Sequence, residues 1–309
     1  MTKPRQYRGS MASSGDDEGR DVHPGVPEHG ATWWSPGSSP GRWWVLGPGG
    51  APSRVPASRA DAGWWVVFAA VGFVVGQVVA LIAVDLAASI TGNGVRLSAI
   101  SQLAAPPAWY IASGLVGLWV GFFVAPVLAV RVRGSGHLVA DLGIAFRPVD
   151  VVGVAIGIGG QVLVTLLYLP FVSHLKNFQA PTTKLTGGAH GGSFAVIAIM
   201  TVLGAPFFEE LFFRGVLFKG LLGLLGATGS RRQAGAKAGT IALAVVADGL
   251  LFGLAHAELE QLAGLAVFGC ILAVVALRTG RLGMNMVAHA TFNLVAVLAI
   301  VSSRAGLVH

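Results

Sequence analysis

Residues 194–225 read FAVIAIMTVLGAPFFEELFFRGVLFKGLLGLL, a run almost wholly apolar except for Glu209, Glu210 and Arg214. An ionised side chain near the middle of a bilayer costs at least ~2.5–3.5 kcal/mol, so carboxylates at this depth call for a partner and a use. Two further apolar stretches carry His256 and the pair His289 and Asn293. The chain is built to bring these groups together inside a membrane.

The remainder of the sequence agrees with that setting. Hydrophobic residues make up 54% and charged residues 11%, with a mean hydropathy of +0.70. Such values exclude an ordinary soluble globule and a disordered chain. They predict an all-α polytopic transmembrane helical bundle. A spanning helix needs about 20 apolar residues, and about seven segments qualify, within a range of six to eight. They are Trp64 to Ile90, Pro107 to Val130, Val149 to Leu169, Phe194 to Leu225, Thr240 to His256, Leu262 to Leu277 and Leu282 to Val301. The fifth and sixth are the shortest.

The formal charge of +7 follows topology rather than nucleic acid. Arg54, Arg59, Arg131, Arg133, Arg147, Arg231, Arg232, Lys237, Arg278 and Arg281 fall in alternate connections, and the opposite side holds only Arg96, Lys176, Lys184 and Arg304. The positive-inside rule then places the amino terminus in the cytoplasm of a multi-pass plasma-membrane protein whose partner is lipid. Residues 1–60 are a Gly-, Ser- and Pro-rich stretch of mixed charge, predicted to be a disordered cytoplasmic tail ahead of a transmembrane domain over 61–309. Small residues four apart, at Gly72 and Gly76, Gly117 and Gly121, and Gly153 and Gly157, predict close helix packing. Cys270 stands alone, so no disulfide framework exists, and packing is its expected role. The connection from His174 to Gly192 is expected to be mobile, and the DLGIAF piece at 141–146 to lie along the interface.

Within the fourth segment, Gly204 and Pro206 are expected to break or kink the helix, with a fresh start before Glu209 whose positive end favours a carboxylate. Glu210 and Arg214, four apart, suit an ion pair, whereas Glu209 points about 100° away from Glu210 and is left for chemistry. Asp248, Phe252 and His256 share one helical stripe, and His289 and Asn293 lie one turn apart on another. A carboxylate, two imidazoles and an amide on three helices are the inventory of a hydrolytic site. The same groups could instead only knit helices together, as in a non-catalytic membrane interaction or immunity protein. A solute transporter is a third reading, weakened by the lack of internal repeats and of paired broken helices.

These residues resemble those of a known family, the CAAX prenyl endopeptidase and bacteriocin-processing family of intramembrane proteases, also called the Abi family. Its signatures stand here in order: EExxxR at Glu209, Glu210 and Arg214, FxxxH at Phe252 and His256, and HxxxN at His289 and Asn293. The family-like core spans about 194–302. The resemblance implies an intramembrane endopeptidase acting on membrane-associated peptides or proteins. Glu209 would be general base on a water held with His256. His289 and Asn293 would stabilise the oxyanion, and Glu210, Arg214 and Phe252 would support the site. Glu209, His256 and His289 are also a set that could hold zinc with an open position for water. An asparagine after His289 is nevertheless a poor zinc ligand, and no HExxH helix exists. No obligatory cofactor is therefore expected. Asp248 is an acid outside the signatures. The spans leave His256 and His289 at depths that differ by roughly 10 Å.

Overall fold

The computed structural model describes residues 56, 58–92, 106–171, 188–226 and 234–305. Nearly all of the expected tail over 1–60, and residues 174–187 of the expected mobile connection, lie outside the described residues.

The described chain is helical, and seven helices are long and apolar enough to cross a membrane. They are α1 (Arg59–Ile90), α2 (Ala108–Arg133), α3 (Val152–Tyr168), the composite α4 (Gly191–Leu224), α5 (Ala234–Ala255), α6 (Leu262–Thr279) and α7 (Gly283–Arg304). The expected segments are all found, with the fifth helix starting at Ala234, ahead of its apolar run. Local chemistry sets several ends. The Ser58 hydroxyl accepts from the Asp61 amide at 3.0 Å and caps α1, and Gly280, at φ 65°, takes the left-handed conformation that closes α6.

Apolar side chains cover the outside. Val67, Val71, Val74, Val78 and Leu81 of α1 are all exposed, which suits a lipid-facing surface and not a watery one. The interior is instead built on close backbone approach and aromatic stacking. A methyl group placed on Gly76 would lie 2.8 Å from the Leu118 carbonyl oxygen, and one on Gly121 would run into the backbone of Gly72 and Gly76. The same device joins α3 to α7, where a methyl on Gly153 would stand 2.7 Å from the Met284 carbonyl oxygen. Phe122 of α2 stacks on Phe212 of α4 at 4.2 Å, and Trp119 on Phe208 at 4.8 Å.

Backbone atoms cannot swing aside as a side chain can. We therefore expect Gly121→Val to destabilise the protein by about 1–3 kcal/mol or more, as overpacking does. Thermal melting in lipid nanodiscs measures this. Gly159→Ala is the control, since nothing lies within 4 Å of a methyl there and its melting point should not fall.

The DLGIAF piece lies at one end of the bundle and is tied to it. A one-turn helix, Leu138–Leu142, tucks Leu142 into the core at 2% exposure. Asp141 accepts from the Ser135 amide and hydroxyl, both at 2.6 Å, and the Lys219 ammonium donates to the Asp141 carbonyl at 2.6 Å. Leu282 N donates to the Gly143 carbonyl at 2.8 Å, and Arg281 pairs with buried Asp150 nearby. These polar ties fix the segment at one end of the bundle, with Phe146 left exposed.

Candidate active site

α4 runs through the centre of the bundle and changes register twice. Its segments are Gly191–Ile199, a π turn Met200–Gly204, an α stretch Ala205–Phe212, a second π turn Phe213–Leu217 and a final α stretch Phe218–Leu224. Each π turn takes one extra residue, a device common at functional sites. The Ala205 amide donates five residues back, to the Met200 carbonyl. Continued one residue on, that register would need a donor at Pro206, which has none. The Thr201 carbonyl is free of that bond and accepts instead from Nδ2 of Asn293 at 2.8 Å. The break expected before Glu209 is thus a change of winding. Gly204 stays right-handed helical, at φ −68° and ψ −55°, so no fresh amino-terminal end forms there.

The α stretch between the π turns carries both glutamates. Glu210 is fully buried, as are Arg214 and Asp248. The Glu210 Oε1 oxygen accepts from Arg214 Nη1 at 3.0 Å and from His289 Nδ1 at 2.9 Å. Its Oε2 accepts from Asn285 Nδ2 at 3.2 Å. Arg214 is held further: Nη2 donates to the Gly269 carbonyl at 2.9 Å, and Nε stands at ion-pair distance, 3.3 Å, from Asp248 Oδ2. Its guanidinium also lies 4.5 Å from the Phe252 ring centre. One cation thereby serves two carboxylates in a place closed to solvent, where an unpaired charge is very costly.

Glu209 points elsewhere, as its 100° offset requires. Its side chain is 13% exposed, and Oε2 lies 3.8 Å from His289 Nε2. Since Nδ1 of His289 is held by the Glu210 carboxylate, Nε2 is the ring atom turned towards Glu209. The His256 Nδ1 donates to the Phe252 carbonyl at 2.8 Å, a contact only a protonated nitrogen can make, so in the neutral ring Nε2 is the acceptor. Phe252 lies between the imidazoles, with ring centres 4.9 Å from His256 and 5.5 Å from His289. Both imidazoles thus pack against one ring, and both line the same cavity.

Glu209, His256, His289 and Asn293 all line one cavity of about 550 Å³, walled mainly by apolar groups such as Leu118, Phe122, Leu265 and Phe292. Asn293 commits one amide hydrogen to Thr201 and keeps the other. Among the described residues no group of three His, Cys, Asp or Glu side chains is arranged to hold a metal ion. Glu209, His256 and His289, the set considered for zinc, are not arranged so.

The sequence reading did not single out Asn285 or Thr201, nor the partner of Asp248. Asn285 precedes His289 by four residues, and the Asn285, His289, Asn293 stripe was its available signal. Asp248 stood out as an acid, although its pairing with Arg214 needs the α4–α5 contact. Thr201 gave no signal, because its carbonyl matters only once the register change is known.

No curated protein and no solved structure matches the chain. The family model for the Type II CAAX prenyl endopeptidase, Rce1-like, matches residues 191–295, the stretch that carries Glu209, Glu210, Arg214, Phe252, His256, His289 and Asn293.

Proposed function

We propose that the protein is an intramembrane endopeptidase whose water is activated by Glu209 and His256, with membrane-associated peptides or membrane proteins as substrates. The observation that supports it best is the convergence of Glu209, His256, His289 and Asn293 on one mainly apolar chamber. A water between Glu209 and His256 gives one proton to the carboxylate while its other hydrogen is held by His256 Nε2, and its oxygen attacks the peptide carbonyl carbon. The oxyanion accepts from the second amide hydrogen of Asn293 and, when the His289 ring carries both protons, from Nε2. Glu210 fixes the orientation of that ring, as an acid does behind a catalytic histidine. Glu209 then passes its proton to the departing amine, so the carbon–nitrogen bond breaks and the enzyme is restored. Arg214 and Phe252 hold the two histidines and Glu210 in register.

The plasma membrane, with the amino terminus cytoplasmic, is the setting we assign from the distribution of Arg and Lys. Purified protein in liposomes should cleave some members of a panel of quenched-fluorescent apolar peptides, prenylated and unprenylated. A panel left intact would overturn the assignment. We further propose that no resident metal is required, so turnover should survive dialysis against a strong chelator. Stoichiometric zinc whose removal abolishes cleavage would refute this.

A further inference from the structure

Gln161 and Thr201 line the chamber and take no part in the chemistry above. Gln161 sits in the apolar run IGIGGQVLV of α3, outside the matched segment. Its Oε1 is sealed from solvent and has no hydrogen-bond partner, and the same holds for the hydroxyl of Thr201. A helical threonine ordinarily donates back to the carbonyl four residues earlier. Thr165 does so to Gln161 O at 2.8 Å and Thr279 to Val275 O at 2.9 Å. Thr201, in the π turn, does not.

An unpaired buried hydroxyl or amide costs about 1–3 kcal/mol, and leucine or valine would fill such positions without that loss. Other buried polar atoms without partners, such as Trp65 Nε1 and Asn285 Oδ1, lie away from the cavity. In the chamber wall they are Gln161 Oε1, Thr201 Oγ1 and Glu209 Oε2. Glu209 Oε2 is where the chemistry is assigned. Both α3 and the π turn pack on α7, so Gln161 and Thr201 flank the face that carries His289 and Asn293. A peptide in extended form presents an N–H and a C=O at every residue, about 3.3 Å apart along the chain. A carboxamide both donates and accepts, as a hydroxyl does.

We propose that Gln161 and Thr201 are substrate-binding residues that hydrogen-bond the main chain of an extended peptide segment lying across the chamber, a role that rests on the endopeptidase reading. Gln161→Leu and Thr201→Val, made in the full chain in nanodiscs, should each lower kcat/KM on the peptide panel about five- to tenfold, mainly through KM, as loss of one hydrogen bond does. Thr201→Ser should restore it. Melting temperature should hold steady or rise, because an unsatisfied group has been removed, whereas a merely structural role predicts that it falls.

A second measurement does not depend on turnover. A benzophenone-bearing apolar decapeptide should photolabel the Glu209→Gln protein and fail to label the Glu209→Gln/Gln161→Leu/Thr201→Val protein. Unchanged kcat/KM in both single variants, equal labelling with and without the two groups, or no labelling at all would overturn the proposal. A wild-type protein that cleaves nothing yet shows the difference in labelling would instead refute the endopeptidase reading alone.

Discussion

Glu209→Gln is expected to lower the rate of peptide cleavage by about 10²- to 10⁴-fold, the usual contribution of a positioned general base, while the protein melts as the wild type does. The expectation of an intact fold has a structural basis. Glu209 Oε2 has no hydrogen-bond partner among the described residues, and its side chain opens on the chamber, so the carboxamide keeps the volume and removes no tie. The matching change one residue on should behave differently. Glu210 is tied to Arg214, His289 and Asn285, and Glu210→Ala would leave three donors without their acceptor. Steady-state cleavage and melting of both variants side by side would separate the roles. Near-normal turnover in Glu209→Gln would remove it as the base. A biological phenotype kept by the Glu209, His256 and His289 variants alike would turn the protein into a non-catalytic interaction factor.

The second large effect is on stability. Arg214→Met should destabilise the protein by about 3–5 kcal/mol, as breaking a buried ion pair does when the remaining charge has nowhere to go. Here two carboxylates are stranded, Glu210 at 3.0 Å and Asp248 at 3.3 Å from the guanidinium nitrogens. Adding Asp248→Asn to Arg214→Met should recover part of the loss, because one stranded charge has been neutralised, and the cycle gives the coupling between the two residues. Unfolding in bicelles monitored by chaotrope titration is the measurement. A loss under about 1 kcal/mol would mean that solvent reaches the pair.

Much of this was legible in sequence. Lipid imposes a length and a composition on each span, so helix number followed from apolar runs alone. Glu210 and Arg214 were legible as a pair because four-residue spacing fixes their relation within one helix. What escaped has a common physical origin. The π turns of α4 break the fixed spacing on which such readings depend. The link from Thr201 to Asn293, and that from Arg214 to Asp248, cross between helices far apart in sequence, whose mutual rotation no spacing within one helix reveals. The tuck of Leu142 beneath the bundle was hidden because its polar ties, among them Lys219 to the Asp141 carbonyl, come from distant parts of the chain.

The oxygen of Thr201 gives positions 206 and 293 a shared fate. A residue with an N–H at 206 would draw on the same oxygen and weaken its hold on the Asn293 arm. Descendants of this chain that keep asparagine at 293 should also keep an imino acid at 206, and those that lose one should drift at the other.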